Sequence, residues 1–317
     1  MQRRRRMHEC GKPIRSGADM SSMIIRGVFS NMPTALTEDG RSIDTERMGA
    51  HVNWVIESGV NGVSCLLGSG GFTYLTGDER YQVAEAVIKA ASGRVPVLVG
   101  ITGESTAETV ELGRAVDGMG ATALMVQPRS FLPLTTAEVL AHYEAVAKAV
   151  TGPIGIYNHP QTTGYAITDR DYAEIVRRTG AIVTKDGGPD LFNVPAVTDA
   201  CRDLKMSYLS GAESLLFAAF LLGADGCCVA IASVFPKEVS DMYRKIQNGD
   251  VPGAKAVYLR MLPVLRAFKK ISTPRAVKAA AELRGHSLGP QRAPVQDLNE
   301  ADTALLKAAI AAVENQG

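Results

Sequence analysis

Lys185 ends an apolar, β-branched run, Ala181-Ile182-Val183-Thr184, and is followed by Asp186-Gly187-Gly188. An amine at the end of a buried strand is shielded from water, and burial favours neutral forms; the neutral amine is what attacks a carbonyl carbon. Imine formation with a keto compound is one reading, and snorkelling to the rim or pairing with Asp186 is the other. The preceding run, Pro153-Ile154-Gly155-Ile156, ends in Tyr157-Asn158-His159-Pro160. If the two runs are neighbouring parallel strands, about 4.8 Å apart, a phenol shares the rim with the amine. Such a phenol can shuttle protons to a carbinolamine and to a substrate oxygen, or can be a strand-end aromatic with its hydroxyl tied up. A third segment, Leu66-Leu67-Gly68-Ser69-Gly70-Gly71, sets three glycines around a serine. Ser69 and Gly70 there let backbone approach an anion such as a carboxylate, or form a plain turn. It is not a dinucleotide fingerprint, because Thr73 stands where the third glycine belongs.

The rest of the composition narrows the chemistry. Lys89, Lys148, Lys245, Lys255 and Lys278 fall in helical stretches, where a polar face is expected. The five cysteines, Cys10, Cys65, Cys201, Cys227 and Cys228, are odd in number and lack Cys-x-x-Cys spacing, and the five histidines form no His-Glu-x-x-His pair. Neither a disulfide framework nor a metal site is expected, no external cofactor is required, and a reducing cytoplasm fits. With Lys+Arg 34 against Asp+Glu 33 the formal charge is +1, so nothing global steers the chain to nucleic acid or to an anionic membrane. The start, Met1-Gln2-Arg3-Arg4-Arg5-Arg6, has a basic stretch but no apolar stretch after it, and reads as a solvated, disordered tail over 1–23 rather than an export signal. No run approaches the roughly 18 apolar residues of a membrane span.

These candidates need a scaffold that gathers strand ends. From residue 26 onward, short apolar runs alternate with stretches of helical period, the pattern of βα units and a parallel sheet. Eight runs are expected as strands: 27–32, 62–67, 95–101, 123–127, 154–158, 181–185, 207–210 and 227–231. Eight parallel strands with interleaved helices close a (β/α)8 TIM barrel, whose reactive groups come from the C-terminal ends of the strands. Thr76-x-x-Glu79, Ser105-x-x-Glu108 and Thr135-x-x-Glu138 predict capping boxes. Gly59, Gly93, Gly120, Gly152 and Gly180 predict left-handed helix stops. A doubly wound open sheet wants its nucleotide-binding glycines after the first strand, and Pro33-Thr34-Ala35 stands there instead. After about Val251 the pattern is helical only, over 254–270, 274–284 and 299–314. The barrel is therefore expected over 24–250 and a C-terminal helical extension over 251–317, in an α/β chain of 317 residues.

Gly68-Ser69-Gly70-Gly71, Tyr157-Asn158-x-Pro160-x-x-Thr163-Gly164 and Lys185-Asp186, in that order, resemble the dihydrodipicolinate synthase/N-acetylneuraminate lyase family of class I aldolases. Pro33-Thr34-Ala35-Leu36 with Asp39-Gly40, Ser210-Gly211 and Gly223-Ala224-Asp225-Gly226 extend the likeness to roughly Ile24 through the C-terminus. The resemblance implies that Lys185 forms a Schiff base with pyruvate or another 2-keto acid and that Tyr157 relays protons. It further implies that Ser69 and Gly70 bind the keto acid's carboxylate, that backbone near Cys228 lines the floor, and that the protein is a homodimer or homotetramer. The chain also departs from the family pattern. Gly70 and Phe72 replace the second hydroxyl and the Glu of the family loop. Thr162 stands where the synthases carry the Arg for aspartate semialdehyde, and Gln127-Pro128-Arg129-Ser130 stands where they carry a proton-passing tyrosine. Ala212-Glu213-Ser214 has one carboxylate where sialic acid lyases have two.

The expected activity is thus a Schiff-base lyase, dehydratase or synthase acting on pyruvate or a 2-keto-3-deoxy acid, with a neutral or polyhydroxylated partner that uses Ser130, His159 or Thr162. Two alternatives stand beside it. One is a dihydrodipicolinate synthase with re-sourced semialdehyde contacts, Arg129 among them. The other is a 2-keto acid binding or regulatory protein that forms the imine and turns nothing over. The apolar residues Val257, Leu259, Met261, Leu262, Val264 and Leu265 exceed what a barrel rim needs and predict a subunit contact.

Overall fold

The structure, a computed structural model, describes residues 25–128 and 131–315. The expected 1–23 tail, Cys10, Arg129 and Ser130 lie outside the described residues. Eight parallel strands close a barrel in the order β1 to β8, with β8 paired back to β1. They are β1 (Gly27–Asn31), β2 (Gly62–Cys65), β3 (Val97–Gly100), β4 (Ala123–Val126), β5 (Ile154–Asn158), β6 (Val183–Asp186), β7 (Ser207–Ser210) and β8 (Gly226–Val229). Each expected run overlaps a strand, β6 ending one residue later and β8 starting one residue earlier than expected, and most strands are shorter than the apolar stretch because flanking residues such as Leu66 and Leu67 are buried without joining the ladder.

The surrounding helices are α1 (Thr45–Glu57), α2 (Gly77–Ala91), α3 (Thr106–Val116), α4 (Thr136–Ala149), the single turn α5 (Pro160–Thr163), α6 (Asp169–Thr179), α7 (Asn193–Ala200), α8 (Leu216–Leu221) and α9 (Pro236–Gln247). Three more follow the barrel: α10 (Val251–Ile271), α11 (Thr273–Leu283) and α12 (Glu300–Glu314). Thr76 and Thr135 close reciprocal capping boxes with Glu79 and Glu138, and Thr168 does the same with Asp171. The Ser105 box is only half made. Ser105 accepts from the Glu108 amide, but the Glu108 carboxylate turns to the Glu104 amide and to Arg80. Gly59, Gly93, Gly120 and Gly180 have positive φ, whereas Gly152 does not; its amide instead donates to Asp117 Oδ1 at 2.9 Å, so a carboxylate pins that turn.

Two cores result. One packs the outer faces of the strands against the helices. The other fills the lumen and includes Phe29, Leu98, Met125, Tyr157, Val183, Leu209 and Cys228. Lumen packing is close at Gly155, where a Cβ would meet Met125 Sδ at 2.5 Å, and at Gly62, where it would strike the Phe29 ring. The extension's apolar residues are mostly used within the chain. Val257, Met261, Val264 and Leu265 are buried, and only Leu259 of that set is markedly exposed, at 50%. The expected surplus fails because α10 packs between α9 and α12, so both faces of the helix are covered.

Candidate active site

Parallel pairing sets Tyr157 directly opposite Lys185, at the C-terminal ends of β5 and β6. Alternation along a strand turns both side chains into the lumen. Lys185 Nζ lies 4.6 Å from the centroid of the Tyr157 ring, and the two residues are 4% and 2% exposed. Alternation also sends Asp186 to the other face. There its carboxylate accepts from Asn158 Nδ2 at 3.0 Å, the Gly188 amide at 2.8 Å, Asn193 Nδ2 at 3.1 Å and the Tyr208 hydroxyl at 2.8 Å. Four donors saturate the carboxylate, so the pairing of Lys185 with its sequence neighbour is not made.

The two residues sit at the bottom of a cavity of ≈ 920 Å³ at the C-terminal face of the barrel. Gly68 and Ser69 form one wall in a tight turn, with the Gly70 amide donating to Leu67 O at 2.8 Å. Space at Gly68 is tight, since a Cβ there would stand 3.1 Å from the Tyr157 hydroxyl. Gly70 is buried behind the wall, its carbonyl accepting from Thr34 Oγ1 at 2.7 Å. Its amide is engaged in the turn, so of the two expected carboxylate contacts only Ser69 is presented to the cavity.

His159 and Thr162 meet at the rim, where Thr162 Oγ1 lies 3.2 Å from His159 Nδ1 and receives Gln127 Nε2 at 3.2 Å. Burial first, and then the Lys185 charge, lower the His159 pKa, so its imidazole is neutral. Cys228 is part of the floor. Its thiol pKa is raised by burial, with Lys185 and Ser64 pulling the other way, and Sγ lies 3.1 Å from Ser64 Oγ.

The cavity also holds residues that strand-end reasoning passed over. Asn31, 1% exposed, lines it from β1. Glu213 lines it after β7: its Oε1 accepts from the Ala230 and Ile231 amides at 2.9 and 3.2 Å, while Oε2 is buried with no hydrogen-bond partner. Burial pushes its pKa up to about 7, opposed by those two amides and by the Lys185 charge. Leu265, Phe268, Lys269, Thr273 and Pro274, from α10 and α11, close one side. Their signal was the adjacency of two helices with a Thr-Pro junction after the barrel, but nothing in the sequence aims that junction at the rim. Among the described residues no group of His, Cys, Asp or Glu could hold a metal ion, and no helix is long and apolar enough to cross a membrane.

A closed eight-stranded barrel with a buried lysine and tyrosine sharing its C-terminal mouth defines the aldolase class of (β/α)8 lyases. The sequence model of the dihydrodipicolinate synthetase family matches residues 24–313, and the chain belongs to that family. It is 33% identical over 290 residues to the 4-hydroxy-tetrahydrodipicolinate synthase of Thermomicrobium roseum, covering 91% of this chain and 94% of that one. It is 32% identical over 287 residues to an uncharacterized DapA-like lyase of Halobacterium salinarum, covering 90% and 93%. Among solved structures, a putative dihydrodipicolinate synthetase from Pseudomonas aeruginosa superposes with a TM-score of 0.87 at 29% identity, over 91% of this chain and 99% of that one. The family member YagE from E. coli K12, solved in complex with pyruvate, gives 0.86 at 26% identity, over 92% and 99%.

Proposed function

We propose that this chain is a cytoplasmic class I lyase or synthase in which Lys185 forms a Schiff base with pyruvate or a 2-keto-3-deoxy acid. The observation that carries this is the unpaired Lys185 amine, buried 4.6 Å from the Tyr157 ring at the bottom of a large cavity. The amine adds to the keto carbon to give a carbinolamine, and loss of water gives the imine. Tyr157 supplies the proton that leaves with the hydroxyl and takes it back in the reverse direction. The protonated imine accepts the electron pair when a bond one carbon away breaks, giving an enamine; addition of the enamine to an aldehyde is the reverse step. No metal or external cofactor enters this sequence.

The partner is a neutral or polyhydroxylated aldehyde. Thr162, His159 and Gln127 form a neutral hydrogen-bonding rim where a distal carboxylate would need a cation, and Lys269, the cavity's other described cation, enters from α10 rather than from that rim. The named relatives favour a second reading, a 4-hydroxy-tetrahydrodipicolinate synthase with altered semialdehyde contacts.

Borohydride added with pyruvate is expected to fix a three-carbon adduct on Lys185, and Lys185→Ala to abolish it. An unlabelled chain, or label on another lysine, refutes the imine. With aspartate semialdehyde as partner, a kcat/KM of about 10⁵ M⁻¹s⁻¹ or more, within the ordinary enzyme range, establishes the second reading.

A further inference from the structure

A polar row across β8, β2 and β1 reaches the cavity at Cys228 and Asn31 and is not used by the imine chemistry. Ser64 on β2 is the register partner of Asn31 on β1, and its hydroxyl donates to Asn31 Oδ1 at 3.2 Å. Cys228 Sγ on β8 lies 3.1 Å from the same hydroxyl. Burial keeps the thiol protonated, so the row runs one way: thiol to hydroxyl, then hydroxyl to amide carbonyl. This leaves the Asn31 Nδ2 donors over. Among the described residues they have no acceptor, and Asn31 is a wall of the cavity. An amide donor that lines a cavity and has no protein acceptor is free to bond an acceptor that a ligand brings.

The β2 loop shows which part of the ligand that is. Gly70 offers no side chain, has its amide engaged with Leu67 O, and lies behind the wall, so the loop presents only Ser69 to a carboxylate. The same turn is laid over the end of β1. Thr34 Oγ1 holds Gly70 O at 2.7 Å, and a Cβ on Gly70 would stand 3.3 Å from Met32 O. Ser69 and Asn31 therefore approach one corner of the cavity from two adjacent strands.

Resting on the lysine-imine reading above, we propose that Asn31 is a substrate-binding residue whose Nδ2 donates to the carboxylate of the 2-keto acid, replacing the donors absent from the β2 loop. A hydrogen bond to a charged acceptor is stronger than one to a neutral acceptor, so the contact discriminates acid from ester.

The test compares pyruvate with methyl pyruvate, which keeps the keto group and removes the negative charge. The readout is the concentration dependence of cyanoborohydride trapping on Lys185. Asn31→Ala is expected to weaken apparent pyruvate affinity at least tenfold, to change methyl pyruvate less than threefold, and to leave the saturating trapping rate with pyruvate within a few-fold. Asn31→Asp, which keeps the shape and the Ser64 bond, is expected to weaken pyruvate further and still spare the ester. Equal losses for acid and ester, or no loss in either variant, overturn the proposal while the imine stands. Absence of any adduct in the unaltered protein with either compound overturns both.

Discussion

Tyr157 is buried beside Lys185 with its hydroxyl next to Gly68, and the proposed mechanism makes it the group that transfers protons. Tyr157→Phe is expected to keep the barrel folded and lower kcat by roughly 10²-fold, the scale for losing a positioned acid/base. Near-normal turnover would make the phenol a packing residue. Glu213 gives a pH signature of another kind. Its folded pKa is about 7, above the ordinary 4.5, so folding takes up a proton between those values. The stability it contributes is full below about 4.5 and is lost as the pH rises through about 7. Glu213→Gln keeps an oxygen for the Ala230 and Ile231 amides without the charge. It is expected to be the more stable chain at pH 8, by on the order of 2 kcal/mol, with the gap shrinking toward pH 4.5. Thermal melts across that range check it, and a gap independent of pH refutes it. Lys185 and Tyr157 could be read from the sequence because each stands at or next to the end of an apolar run. Asn31 was not singled out, because what marks it is its neighbour on the next strand; Glu213 appeared only through the resemblance, because its buried, unpartnered Oε2 depends on the fold.

At the scale of elements, the segment after α11 is anchored to the loop after β1 and to the start of α2 by Arg292. Arg292 donates to the Gly40 carbonyl from Nε at 3.2 Å and to the Arg41 carbonyl from Nη2 at 2.8 Å, and it pairs with Glu79 at 2.5 Å. Glu79 is also the carboxylate that closes the α2 capping box, accepting from the Thr76 amide at 2.9 Å. Leu288 O adds a backbone bond to the Leu36 amide at 3.0 Å. Arg292→Ala removes the charge from a largely buried carboxylate and strands two carbonyls, a loss on the order of 2–3 kcal/mol. A chain whose melting temperature falls by several degrees yet still labels at Lys185 in the cold is the expected result. An unchanged melting temperature would make the segment a passive covering. Local signals explain why α2 and α4 were legible: a hydroxyl and a carboxylate three residues apart carry their own geometry. The half-made box at Ser105 and the pinned turn at Gly152 were misread for the converse reason. Glu108 and Gly152 answer to Glu104, Arg80 and Asp117, partners that periodicity does not reveal.

For the molecule as a whole, alternation of eight runs with helices was enough to close the barrel, because parallel strands need crossovers and seven consecutive crossovers leave little choice of topology. Assembly requires a different argument from the one α10 suggested, since that helix is covered on both sides. α10 keeps Leu259 and Val251 exposed at 50% and 38%, and further apolar surface lies elsewhere. Phe131 and Leu132 after β4 are 98% and 68% exposed, and Leu221 and Leu222 at the end of α8 stand at 46% and 45%. An aromatic and an aliphatic side chain held in water at the barrel mouth lose nothing and gain burial when a second copy covers them. Lys185 and Tyr157 lie on adjacent strands of one barrel, and each site is expected to be chemically self-sufficient within the assembly. Light scattering at micromolar concentration is expected to give a multiple of 33.7 kDa. Phe131→Asp with Leu132→Asp is expected to shift it toward a smaller species that still forms the Lys185 adduct. A 33.7 kDa particle for the unaltered chain refutes the assembly. A smaller species that has lost the adduct refutes self-sufficiency, and an unchanged oligomer moves the contact away from the β4 loop to the α8 surface.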